Sequence, residues 1–209
     1  MNTSIVADNG QNALFKGNYV QIGNNKNDNA IYVDNAYATL TLNATNHGVI
    51  SLYDNIDGTE GYDVLITGDN TGVIGLYNNI NKADVKAGKA SISLVDGITK
   101  NYTFKSLDTT TTTESNIAKW NIDVDLTTGK ADTITTADSS SKGTVLLNNF
   151  NIIGSTEQDS LIIQILKNTT ENDNLQLKIA DGVLNVVTDV TNIGNEVFSS
   201  KSYSGYEMS

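Results

Sequence analysis

The sequence predicts an all-β chain wound as a parallel β-helix, and three observations carry that reading. Short apolar–polar runs recur along the chain, while no sustained i, i+3, i+4, i+7 apolar stripe can be found. Between the runs lie clusters of Asn, Asp and Gly, residues that accept left-handed backbone in tight turns. Gly48–Asp57 then recurs as Gly72–Asn81 with seven of ten positions identical, a 24-residue step suited to one solenoid coil.

The expected strands run Ala30–Val33, Ala38–Leu42, Gly48–Leu52, Tyr62–Ile66, Gly72–Leu76, Ala90–Val95, Tyr102–Leu107, Ile117–Leu126, Ala131–Thr136, Thr144–Leu147, Ser160–Lys167, Asn174–Ala180 and Gly182–Val187. Several alternate cleanly. Trp120, Ile122, Val124 and Leu126 share one face, opposite Asn121, Asp123 and Asp125, and Leu175, Leu177 and Ile179 oppose Gln176 and Lys178. The repeat places Ile50 on Ile74 and Leu52 on Leu76 inside, with Asn55 on Asn79 in a turn ladder. Tyr37 and Leu40 match Tyr62 and Leu65 with a one-residue gap, which extends the unit upstream.

Composition removes several functions. The 13 basic residues are all lysine, set against 24 Asp and Glu for a formal net charge of −11. With no Cys there is no disulfide, thiolate nucleophile or zinc knuckle, and no cofactor is expected. Without Arg there is no bidentate clamp on phosphate, and the acidic balance argues against a nucleic-acid partner. No aliphatic run approaches the ~20 residues of a spanning helix. The first twenty residues have neither a basic n-region nor an apolar h-region, which leaves a cytoplasmic protein or a piece of a longer exported chain, and the composition favours the second.

The stretch Lys119–Leu126, then Thr128-Gly129-Lys130-Ala131-Asp132-Thr133-Ile134-Thr135, then Gly143–Asn149, then Leu161–Leu166 sets out an order of elements. An aromatic-led strand is followed by a Gly-x-x-Asp-x-aliphatic turn and strand, a Gly-led strand ending at Asn, and an aliphatic strand. Over roughly residues 100–187 this resembles the C-terminal part of bacterial autotransporter passengers of the pertactin and AIDA type. The resemblance implies a right-handed parallel β-helix (β-solenoid) on a bacterial cell surface, attached in the full-length chain to an outer-membrane barrel. Residues 1–115 are then solenoid coils, 116–198 a passenger-like β-helix and cap region, and 199–209 a tail. The expected role is adhesion or a structural stalk, with host-cell or neighbouring-cell surface molecules, polar or glycan, as partners and no enzymatic activity. The alternatives are a carbohydrate-active β-helix enzyme and a phage tail or S-layer module.

Few side chains point to chemistry. His47 stands alone in a polar turn, and its counterpart in the next repeat is Thr71, so we expect a solvated turn residue. Asp54, Asp57, Glu60 and Asp63 crowd one region, but their spacing fits no calcium loop, and Asn78 and Asn81 replace two of them in the sister repeat. Asp123, Asp125 and Asp132 resemble paired glycosidase carboxylates, although any i, i+2 pair on a strand meets that spacing. Trp120 is expected to plug the core. Thr109–Thr113 reads as a polar loop leaving the coil. No catalytic, metal or cofactor residue is assigned, and no ligand-binding residue can be named.

Overall fold

The computed structural model describes residues 2–7, 12–15, 31–69, 71–110, 116–157, 160–168, 174–180, 187–193 and 196–202. In order the strands are β1 (Asn2–Ala7), β2 (Asn12–Phe15), β3 (Ile31–Val33), β4 (Thr39–Ala44), β5 (Val49–Leu52), β6 (Ile56–Gly58), β7 (Asp63–Gly68), β8 (Val73–Leu76), β9 (Asp84–Ala87) and β10 (Ser91–Ser93). They continue as β11 (Asn101–Phe104), β12 (Ser106–Thr109), β13 (Lys119–Asp125), β14 (Lys130–Ala131), β15 (Thr133–Thr136), β16 (Lys142–Ile153), β17 (Ser160–Asn168), β18 (Leu175–Ile179), β19 (Val187–Ile193) and β20 (Glu196–Ser202). Among the described residues there is no α-helix, and none long and apolar enough to cross a membrane.

These strands wind into a parallel β-helix. On the first face β1, β4, β7, β9, β12, the start of β16, and β18 stack in parallel. The second face stacks β2, β5, β8, β10, β13 and the rest of β16. The third carries β3 on β6, a bridge from Ile56 to Ile80, and then β11, β15 and β17. At its far end the pairing turns antiparallel, β17 to β20 to β19.

Alternation decides what goes inside. Leu40, Val64, Val85 and Leu107 form one inward column, and Ile50, Ile74, Ile92, Trp120 and Leu147 another, all buried in one continuous core. Ile50 lies on Ile74 and Leu52 on Leu76, as the repeat requires. Stacking these branched aliphatics gains about 25 cal/mol for each Å² of apolar surface removed from water, and each coil completes its neighbour's hydrogen bonds. Glycine is needed where the repeat begins. A Cβ on Gly72 would sit 2.3 Å from the Ala44 carbonyl oxygen.

Several expectations need correction. Tyr37 does not match Tyr62: the register pairs Leu40 with Val64 rather than Leu65, so Tyr37 is 95% exposed while Tyr62 is buried. A one-residue gap would have turned Leu65 inward and Val64 outward, against the inward alternation. Tyr102–Leu107 is two strands, because the chain turns the corner at Lys105 between β11 and β12. Thr109 ends β12 facing inward, where its hydroxyl donates to the Thr144 carbonyl at 2.8 Å; the loop beyond it, 111–115, lies outside the described residues, as does most of Gly182–Val187. β9, with the motif Asp-Val-Lys-Ala, was not foreseen, nor were β1, β2, β6 and the β19–β20 hairpin.

Candidate interaction corner

The corner between the second and third faces changes from coil to coil. In the two regular coils it is a three-residue turn, 53–55 and 77–79. Asparagine side chains stitch these turns together. The Asn79 amide donates to Asn55 Oδ1 at 3.3 Å, and one coil on, the Thr103 amide donates to Asn79 Oδ1 at 3.2 Å. Outside the ladder Tyr53 and Tyr77 pack with ring centroids 4.9 Å apart and planes tilted by 38°. The Tyr77 ring folds back over Gly75, where a Cβ would meet its hydroxyl oxygen at 2.6 Å. A side chain at position 75, such as the serine that the first repeat has at 51, would have to push that ring aside.

In the next three coils the same corner swells. Residues 94–100 loop out between β10 and β11, residues 126–129 turn between β13 and β14, and residues 154–157 leave the end of β16. Two aspartates hold the first two excursions together. Asp123 Oδ2 accepts the amides of Asp96 at 2.9 Å and Gly97 at 2.7 Å, and its Oδ1 accepts Asn151 Nδ2. Asp132 Oδ1 accepts the Lys100 amide and its Oδ2 the Asp123 amide, both at 2.8 Å. Both side chains are fully buried. Lys100 Nζ bonds the Asp96 carboxylate and, at 3.0 Å, the Tyr77 carbonyl. Burial pushes the Asp132 carboxyl up to about 7, with the nearby Asp123 and Asp96 charges adding to the effect.

The expected carboxylate trio is therefore split. Asp123 lies on the polar face of β13 as the alternation requires, but the 94–100 loop and Asn151 cover it. Asp125 caps the turn that follows, accepting the Thr127 amide and the Thr128 hydroxyl, each at 2.8 Å, and these bonds hold its carboxyl below the usual range. Asp123 and Asp132 have no surface from which a substrate could reach them.

The acidic residues of the first coils also separate. Asp57 pairs with Lys82 at 3.1 Å and Asp63 with Lys86 at 3.6 Å, and no described acidic or histidine cluster is placed to hold a metal ion. His47 is exposed at φ +66°, its amide donating to Thr71 Oγ1 at 3.1 Å. Asp69, which spacing did not single out, ties these turns together. Its carboxylate accepts the amides of Asn46, Thr71 and Gly72, and these bonds hold it far below the ordinary range. Trp120 is fully buried in the core.

Two shallow grooves, of about 330 and 410 Å³, lie around the start of the first face. Their lysines, Lys82, Lys86, Lys105 and Lys142, are each paired with an aspartate. The corner between the second and third faces is different. Of the four large hydrophobic residues that stand exposed among the described residues, three lie along it: Tyr53 at 43% in a regular turn, Ile98 at 63% in the 94–100 loop and Ile152 at 42% near the end of β16. Along this edge, separate coils thus present apolar side chains near Asp96, Lys100 and the turn asparagines.

No protein-family model matches the chain, and no curated protein matches it. Among solved structures, the crystal structure of the Haemophilus influenzae Hap adhesin is similar over 95% of this chain, with a TM-score of 0.47 and 15% identity. This chain spans 22% of the length of that one.

Proposed function

We propose that the chain is a shaft segment of a secreted bacterial cell-surface protein, an autotransporter-type adhesin passenger, and that the corner between its second and third faces is the contact surface. The observation that carries this reading is the stacking of successive turns and loops on one edge, with Tyr53, Ile98 and Ile152 left in solvent. The parallel coils make a stiff support, and the repeat of weak sites along it suits multivalent attachment. The sequence resemblance over residues 100–187 supports the same reading. A partner of polar or glycan chemistry fits a stripe that offers aromatic and aliphatic faces beside amides and carboxylates.

The hydrolase reading has one observation on its side, the raised carboxyl of Asp132, and the burial of that group weighs against it. Binding of the purified chain to bacterial and epithelial cell surfaces and to immobilised glycans tests the proposal. Tyr53→Ala and Ile98→Asp should abolish or sharply reduce binding, with unchanged circular dichroism. Full binding by a folded double variant would overturn the assignment of the corner, and turnover of a polysaccharide would overturn the non-catalytic reading.

A further inference from the structure

We propose that Asp132 is a proton-controlled latch for the 94–100 loop: protonated, it holds the loop against β13 and β14, and once ionised it favours an opened corner. The inference stands apart from what the corner binds.

Three features of the geometry carry it. Asp132 and Asp123 are both fully buried and joined directly, the Asp123 amide donating to Asp132 Oδ2. Neither has a cation as hydrogen-bond partner. Lys100 sends its ammonium to Asp96 and the Tyr77 carbonyl instead, and Lys130 on β14 is exposed. The other titratable groups around Asp132 are Asp96 in the loop and Tyr102 on β11, whose hydroxyl donates to the Leu94 carbonyl at 3.2 Å. All that faces Asp132 is thus negative or neutral. Finally, donors are unequally shared: Asp123 accepts three and Asp132 two, which leaves Asp132 the less well compensated of the two buried carboxyls.

The loop depends on these carboxylates. The amides of Asp96, Gly97 and Lys100 end on them, and Gly97 at φ +86° has open space around it. An ionised Asp132 is held against desolvation and against the Asp123 and Asp96 charges, and opening the loop hydrates it. Linkage then sets the sign. A carboxyl raised from 3.8 to about 7 favours the closed corner at low pH, and the advantage is lost as pH rises through 7. If opening hydrates Asp132 fully, the opening equilibrium of the loop grows nearly tenfold from pH 5 to 6, about fivefold from 6 to 7, and levels off above.

Amide hydrogen exchange, corrected for the intrinsic pH dependence, tests this on the wild-type chain. Protection at Asp96, Gly97 and Lys100 should fall by about fiftyfold from pH 5 to pH 7, while Val73 and Tyr77 in the regular coils hold steady. A carboxyl carbon titration of Asp132 by NMR should show its midpoint near 7, and Asp132→Asn, where it folds, should remove the pH slope at the loop. Loop protection independent of pH, a midpoint at an ordinary carboxylate value, or an unchanged slope in Asp132→Asn would each overturn the latch.

Discussion

Between β5 and β6, and again between β8 and Ile80, three residues carry the chain round a corner that takes seven between β10 and β11, residues 94–100. The short turns are joined by neutral Asn side chains, each passing one hydrogen bond to the next coil. The long ones are joined by buried carboxylates, Asp123 and Asp132, which between them take four backbone amides. The difference teaches that a corner repeated at constant length can be closed by an uncharged ladder. A loop that leaves the coil needs acceptors that take more than one amide each, because several of its amides point inward with no strand to meet them. The carboxyl device brings a sensitivity to pH near neutrality that the asparagine ladder lacks.

The largest test of this contrast is in the regular part. Leu76→Ala should cost about 2–5 kcal/mol by urea unfolding, through lost burial and the cavity left behind. Combined with Leu52→Ala, it should show a coupling of at least about 0.5 kcal/mol, because the two share one cavity. Additive effects with both single variants destabilised would break the adjacent stacking. In the swollen part, Asp123→Ala strands the Asp96 and Gly97 amides and Asn151, and a loss of about 3 kcal/mol is expected, with the 94–100 loop the first segment to lose exchange protection.

Between pH 5 and 8 the raised Asp132 should make the folded chain less stable by about 2–3 kcal/mol as pH increases. The net charge of −11 pushes in the same direction, so the comparison is with Asp132→Asn, in which only the smaller general charge effect should remain. Asn79→Ala, which removes one acceptor from the neutral ladder, should cost about 1 kcal/mol with no pH dependence in this range. Ser51→Thr, on the outer side of β5 and still able to meet the Tyr77 ring, should change stability by no more than about 0.5 kcal/mol.

How much of this was legible in the residues depends on the place. Ile50 on Ile74, Leu52 on Leu76 and Asn55 beside Asn79 could be read directly, since a repeat with conserved spacing has only one way to stack its own copies. Trp120 could be placed inside from the alternation of its strand alone. β9 could not, because Asp84 and Lys86 look like turn residues until they are seen facing outward, with Asp84 bonding Lys105 at 3.0 Å and Lys86 facing Asp63. Tyr37 misled for the opposite reason: a matching letter one position out of step belongs to the other side of the strand.

The sequence by itself determined the coil. Period-two alternation, Asn and Gly at the turns and one clear repeat dictate which side chains face in, because a pleated strand has two faces and only one of them can be dry. The corner was decided by tertiary structure. Asp123, Asp125 and Asp132 are the same residue type within ten positions, yet Asp125 caps a turn while the other two are sealed inside. What separates them is a loop more than twenty residues earlier and an asparagine from the next coil, Asn151, folded over the strand. Burial and charge environment are properties of what packs against a side chain, and those neighbours come from coils that spacing along one strand cannot see.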